Sequence, residues 1–168
     1  AFGRIAVSVY QAFSQGSVRI TTPDPATDPA VEENMLSDPR DLLRMRDGVR
    51  RLRAICLHPA VRAVAERVEY GTTGRAVDED LDDAALDGWM LAECGDAQHA
   101  SGTCRMGAPG DPAAVVDPQC RVKDCTGLRV IDASVMPEVP RANTHLTTVA
   151  IAERMADELK ADRKERAP

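Results

Sequence analysis

Aromatic side chains make up only 3% of the 168 residues, so any core must be built from Val, Ile, Leu, Met and Ala. No apolar run approaches the roughly 20 residues a bilayer-crossing helix needs, which excludes such a span. The start, Ala1-Phe2-Gly3-Arg4-Ile5, has neither an initiator Met nor a long apolar stretch resembling a signal peptide. This fits a chain cut from something longer, or a processed or incompletely recorded N-terminus. A basic surplus is also missing: 21 basic against 27 acidic residues give a net charge of −6, which argues against a broad phosphate-binding surface and hence against nucleic acid as a partner. The five cysteines (Cys56, Cys94, Cys104, Cys120 and Cys125) form no C-x-x-C pair. Their odd number and irregular spacing point to reduced, cytoplasmic thiols rather than a disulfide framework. His99 and Cys104, like Cys120 and Cys125, have four residues between them, which matches no zinc finger or ribbon, so no metal site is expected. A Gly-x-Ser-x-Gly elbow is absent, which lowers hydrolase readings, and so is a Gly-x-Gly-x-x-Gly dinucleotide fingerprint.

What is present is ordinary for a globular protein: 43% apolar and 29% charged residues, enough chain for one domain and too little for two comfortable ones. Ile5, Val7 and Val9 alternate with Ala6, Ser8 and Tyr10 and predict a strand; Val18 and Ile20 predict a second. The prolines of the 21–29 stretch require a surface crossing. Ser37-Asp38-Pro39 reads as a helix start, followed by Leu42, Met45, Val49 and Leu52 at helical steps. Pro59 ends or breaks this helix, and Val61, Val64, Ala65 and Val68 predict a shorter one behind it. The basic residues Arg44, Arg46, Arg50, Arg51 and Arg53 alternate with Asp41 and Asp47 and read as a solvated helix face. An acidic segment, Asp78 to Asp87, precedes Trp89-Met90-Leu91 and reads as helical, capped by its own aspartates. Short strands are expected near 120–122 and 128–131, and a last helix from about 144 to about 160 with Ile151, Met155 and Leu159 facing inward. Residues 162–168 read as a frayed, charged tail. The irregular interleaving of strands and helices predicts an α+β fold.

Two stretches carry chemistry. Gln98-His99-Ala100-Ser101-Gly102-Thr103-Cys104-Arg105-Met106-Gly107 sets a histidine in a small-residue loop, where backbone and ligand can approach closely. Its imidazole is either a general base, with an unperturbed pKa near neutrality, or a structural hydrogen-bonding group. In the second stretch, Gly127 to Pro137 runs as strand into loop, and Arg141-Ala142-Asn143-Thr144-His145 opens the final helix. Asn143 is placed to contact an electron-rich ligand edge, or Asn143 or Thr144 simply caps the helix, and both roles are compatible.

Taken in order, His-x-x-Gly-Thr-Cys-x-Met-Gly, Val-Val-Asp, Gly-Leu-Arg-Val-Ile-Asp-Ala-Ser-Val-Met-Pro, Asn-Thr-x-x-x-Thr and Ala-Glu-Arg-Met-Ala-Asp resemble the C-terminal signature of glucose-methanol-choline oxidoreductases. Ser14 to Ile20 and Met35 to Pro39 resemble the same family's strand opener and helix approach, so the resemblance spans nearly the whole chain, 1–168. It implies a substrate domain with an antiparallel sheet and flanking helices, whose final strand and helix pack on an FAD-binding domain. It further implies His99 as the base toward a substrate hydroxyl, with Asn143 paired across the substrate in front of flavin N5. Asn at that place is similar to the choline-oxidising branch; other branches carry His. Asp132 and Ala133 match residues lying along the FAD, and Thr144 with His145 match the backbone approaching the flavin's pyrimidine edge. Asp124-Cys125 stands where Gly-Val is more usual, and His145 where Asn is common. The Gly-rich FAD fingerprint is not in this chain, which alone is therefore expected to be inactive. The resemblance implies an alcohol as substrate, FAD as cofactor and the N-terminal FAD-binding domain of the same protein as partner. A hydroxynitrile-lyase-like activity and a free-standing, non-catalytic binding domain are the alternatives.

Overall fold

A computed structural model describes residues 3–165. It is a mixed helix and strand fold. Two three-residue strands, β1 (Ser17–Arg19) and β2 (Ala30–Glu32), form a small antiparallel sheet. Four α-helices follow: α1 (Pro39–Cys56), α2 (Pro59–Arg62), α3 (Asp83–Glu93) and α4 (Thr144–Glu165). None of these helices is long and apolar enough to cross a membrane. The apolar side chains gather around two centres, not the single core expected from the length, and the chain divides into two compact units.

The first unit comprises residues 3–17 and 30–97. The α1 helix starts where the sequence places it. The Asp38 carboxylate accepts from Arg40 N at 2.9 Å and Pro39 occupies the first turn, so both features of a favoured N-terminus are used. Val49 and Cys56 of α1 are buried with Leu86 and Met90 of α3, Tyr70 and Val77. Asp82 caps α3 by accepting from Ala85 N at 2.8 Å, so the expected aspartate cap is present but the helix begins at Asp83, not within 78–82.

Three expectations for this unit are corrected. Residues 5–9 form no strand. Val7 and Val9 are half-buried but Ile5 is exposed, and the chain here lies along α1 instead of another strand. Gly48 permits the approach, since a Cβ there would stand 2.8 Å from Val7 Cγ2. Further on, side chains of α1 take the place of a ladder partner: Arg44 donates to the carbonyls of Gln11 and Tyr10 at 3.0 and 2.6 Å. The shorter helix is a single turn, α2, because the chain then bends into a narrow hairpin; Tyr70 N donates to Arg75 O and Val77 N to Val68 O. Val64 is consequently exposed. The basic face of α1 is only partly solvated. Arg51 pairs with Asp47 one turn away, but Arg46 reaches Asp83 and Asp87 of α3, and Arg53 donates to the carbonyls of Val77 and Asp78. The basic and acidic clusters of the sequence thus meet each other.

The second unit comprises residues 18–29 and 98–165. The 21–29 stretch is irregular and largely exposed, as its prolines require. Val116, Cys120, Val135 and Met155 are buried together, with Met106, Val122, Val130, Ile131 and Ile151 packed around them. The strands expected near 120–122 and 128–131 reduce to isolated bridges, Val116 to Val122 and Arg121 to Arg129. The turn between them holds Asp124 at φ 61° and Gly127 at φ 77°. Asp tolerates the left-handed region better than most residues, so the departure from Gly at position 124 is accommodated. The α4 helix runs five residues beyond the expected end, to Glu165, so the expected tail is helical at 162–165, and 166–168 lie outside the described residues. Ile151 and Met155 face the core, but Leu159 is exposed. Arg129, only 16% exposed, pairs with Asp162 and fixes this end of the helix to the bridged loops.

Candidate functional site

All six residues singled out by sequence fall in the second unit. The histidine loop is stitched by backbone hydrogen bonds to the stretch after Asp132: Cys104 N donates to Ser134 O and Met106 N to Val135 O, each at 2.9 Å. Gly102 sits at φ 83°, a left-handed backbone that favours glycine, so the loop's glycine answers a turn. Ala133–Val135 form one 3-10 turn. The Asp132 carboxylate caps this turn, accepting from Ser134 N at 2.8 Å and from the Ser134 hydroxyl. Asp132 is exposed and Ala133 half-buried.

His99 is half-buried. Its Nδ1 stands 3.0 Å from Gln98 O and 3.3 Å from Thr144 Oγ1, across 45 residues of sequence. A carbonyl oxygen only accepts, so the partner assigns the proton to Nδ1, and the neutral imidazole carries its lone pair on Nε2. Gln98 presents that carbonyl from a left-handed backbone, φ 60°, uncommon for a residue with a side chain. Thr144 is the first residue of α4 and is buried at 7% exposure, whereas Asn143 before it and His145 after it are exposed. The histidine loop is thereby brought to the residue next to Asn143 at the head of a 22-residue helix.

Sequence reasoning missed two contributors. For Thr144 it considered a capping role and the backbone, not the approach of its hydroxyl to His99, and no spacing signal links positions so far apart. The Gln98 carbonyl was equally invisible, because its role depends on the local φ. The Ser101 hydroxyl oxygen, in the same loop, is buried without a hydrogen-bond partner.

A family model described as GMC oxidoreductase, that of the C-terminal domain, matches residues 12–152. The chain belongs to the GMC oxidoreductase family. It is 42% identical over 151 residues to the 5-(hydroxymethyl)furfural oxidase of Methylovorus sp. (strain MP688), a match covering 86% of this chain and 28% of that protein. It is 38% identical over 145 residues to the oxygen-dependent choline dehydrogenase of Vibrio vulnificus (strain YJ016), covering 86% and 25% respectively. Among solved structures it superposes on pyridoxine 4-oxidase from Mesorbium loti with a TM-score of 0.76 and 30% identity, over 89% of this chain and 28% of that one. Formate oxidase from Aspergillus oryzae RIB40, a structure concerned with FAD modification, gives a TM-score of 0.72 at 27% identity, over 89% and 25%. The chain thus spans about a quarter of the length of these GMC relatives.

Proposed function

We propose that this chain is the C-terminal catalytic portion of an FAD-dependent alcohol oxidoreductase, in which a primary or secondary alcohol gives hydride to flavin N5. The observation that carries the reading is the approach of His99 to the head of α4, which sets a basic imidazole beside the residue preceded by Asn143. Two kinds of group suit one alcohol oxygen: a base for the proton and a neutral donor that orients the oxygen without competing for it.

His99 supplies the base. With the proton on Nδ1 held toward Gln98 O, Nε2 accepts the hydroxyl proton of the substrate as carbon gives up hydride. Asn143 supplies the neutral donor, since its amide hydrogen-bonds without ionising. The residues present suit a flavin: Asp132 and His145 are exposed, Ala133 is small and half-buried, and the first amides of α4 carry the partial positive charge that an electron-rich pyrimidine edge requires. FAD, when bound, supplies the hydride acceptor. Its binding falls mainly to an N-terminal domain of the same protein, since no Gly-rich fingerprint occurs in these 168 residues. Leu146, 77% exposed, and Val149, 43% exposed, on α4 support a helix that packs on such a domain. By itself the chain is inactive on this reading. Five unpaired cysteines support a reducing, cytoplasmic location.

Anaerobic mixing of the flavin-loaded, full-length protein with alcohols tests the reading. The names of the relatives supply the set: 5-(hydroxymethyl)furfural, choline and pyridoxine. Bleaching of the oxidised flavin spectrum by at least one is expected. Bleaching by none of these alcohols, with cleavage of a cyanohydrin instead, would contradict it.

A further inference from the structure

We infer that Thr144 is a positioning residue for His99, its hydroxyl anchoring the Nδ1 side of the imidazole so that Nε2 serves as the proton acceptor. The inference rests on the reading of His99 as the base.

The ring has two anchors at Nδ1, and they differ in quality. Gln98 O, at 3.0 Å, belongs to the neighbouring residue in an exposed stretch with an uncommon backbone conformation. Thr144 Oγ1, at 3.3 Å, comes from a buried residue built into the first turn of α4, whose carbonyl accepts from the Thr148 hydroxyl at 2.9 Å. A β-branched side chain has few rotamers, so this hydroxyl is fixed by the helix that carries it. Turning of the ring about its χ2 axis would exchange the nitrogen for a carbon at the reacting position. The second anchor, from a rigid element distant in sequence, suppresses that motion.

The test uses the full-length, flavin-loaded protein, with 5-(hydroxymethyl)furfural as the alcohol and T144V, T144S and H99A as variants. T144V keeps the shape and removes the hydroxyl; T144S keeps the hydroxyl and removes the methyl. We expect T144V to lower the limiting rate of flavin reduction about tenfold, the rate equivalent of one hydrogen bond. The apparent dissociation constant of the alcohol should be unchanged, and T144S should fall within about twofold of the parent. In protein labelled with nitrogen-15 at histidine, with the His99 signals identified by their loss in H99A, the parent should show the proton on Nδ1. That measurement needs no turnover and does not depend on how well T144V folds. A parental rate in T144V, equal losses in T144V and T144S, or a proton found on Nε2 would each overturn the inference. Near-parental flavin reduction in H99A would instead remove the base assignment on which it rests, and is read in a separate arm.

Discussion

Ser14 donates both its backbone N–H and its hydroxyl to the same carboxylate oxygen of Asp41, at 2.7 and 2.8 Å. Phe13 N donates to that oxygen as well, at 2.7 Å, and Arg44 pairs with the other one at 3.1 Å. Asp41 is only 1% exposed, so a charge that burial would penalise is satisfied on every side.

This arrangement predicts the effect of D41N. The amide retains one accepting oxygen but loses the charge and turns hydrogens toward donors. Four charge-assisted bonds are weakened together, and about 3 kcal/mol of stability should be lost. The midpoint of urea unfolding should fall, and amide exchange in residues 10–17 should rise before that of α1. An unchanged midpoint would show that the carboxylate is not what holds this segment.

Asp38 predicts a pH effect whose sign is fixed by its partners. The side-chain hydrogen bond from Arg40, then its backbone N–H, lower the Asp38 carboxyl from 3.8 to about 2. A carboxyl lowered on folding contributes stability that is complete above 3.8 and disappears as pH falls through about 2. In D38N the capping oxygen remains but the titration does not. Protection of the first-turn amides of α1, corrected for intrinsic exchange, should therefore decline between these pH values in the parent and stay flatter in the variant. Parallel declines would contradict the assignment.

The cysteines divide by environment. Cys120 is fully buried, and burial, then the negative charge of Asp117, pushes its thiol up; Cys125 is exposed. A thiol reagent at mildly alkaline pH should modify Cys125 quickly and Cys120 only on unfolding, and C125S should remove the fast phase. Rapid modification of Cys120 in the folded protein would contradict the packing of the second core.

The sequence was most readable where local chemistry and tertiary contacts agree. Asp38-Pro39 and Asp82 begin helices because their side chains satisfy amides within the same turn, a relation of two or three residues. It was least readable where a segment finds partners elsewhere. Alternation at 5–9 matches one-sided burial at Val7 and Val9 but not at the exposed Ile5, and the same pattern arises whether the chain lies on a strand or along a helix. Leu159 illustrates the converse: its periodic position is helical, yet it stays exposed. Within the site, His99 and Asn143 stood out by motif. The 3.3 Å approach of Thr144 to His99 joins residues 45 apart and needs the fold.

On the proposed reading His99 takes the proton and Asn143 only orients the oxygen. Flavin reduction by alcohol, measured by stopped flow in the full-length protein at matched FAD content, compares H99A with N143A directly. General bases contribute about 10²–10⁴-fold in rate, and one hydrogen bond to a neutral group about 0.5–1.5 kcal/mol, roughly tenfold at most. H99A should therefore be slower than N143A by at least about tenfold, while N143H keeps measurable activity. A near-native rate of flavin reduction in H99A would contradict the account and leave His99 as a structural residue of its loop.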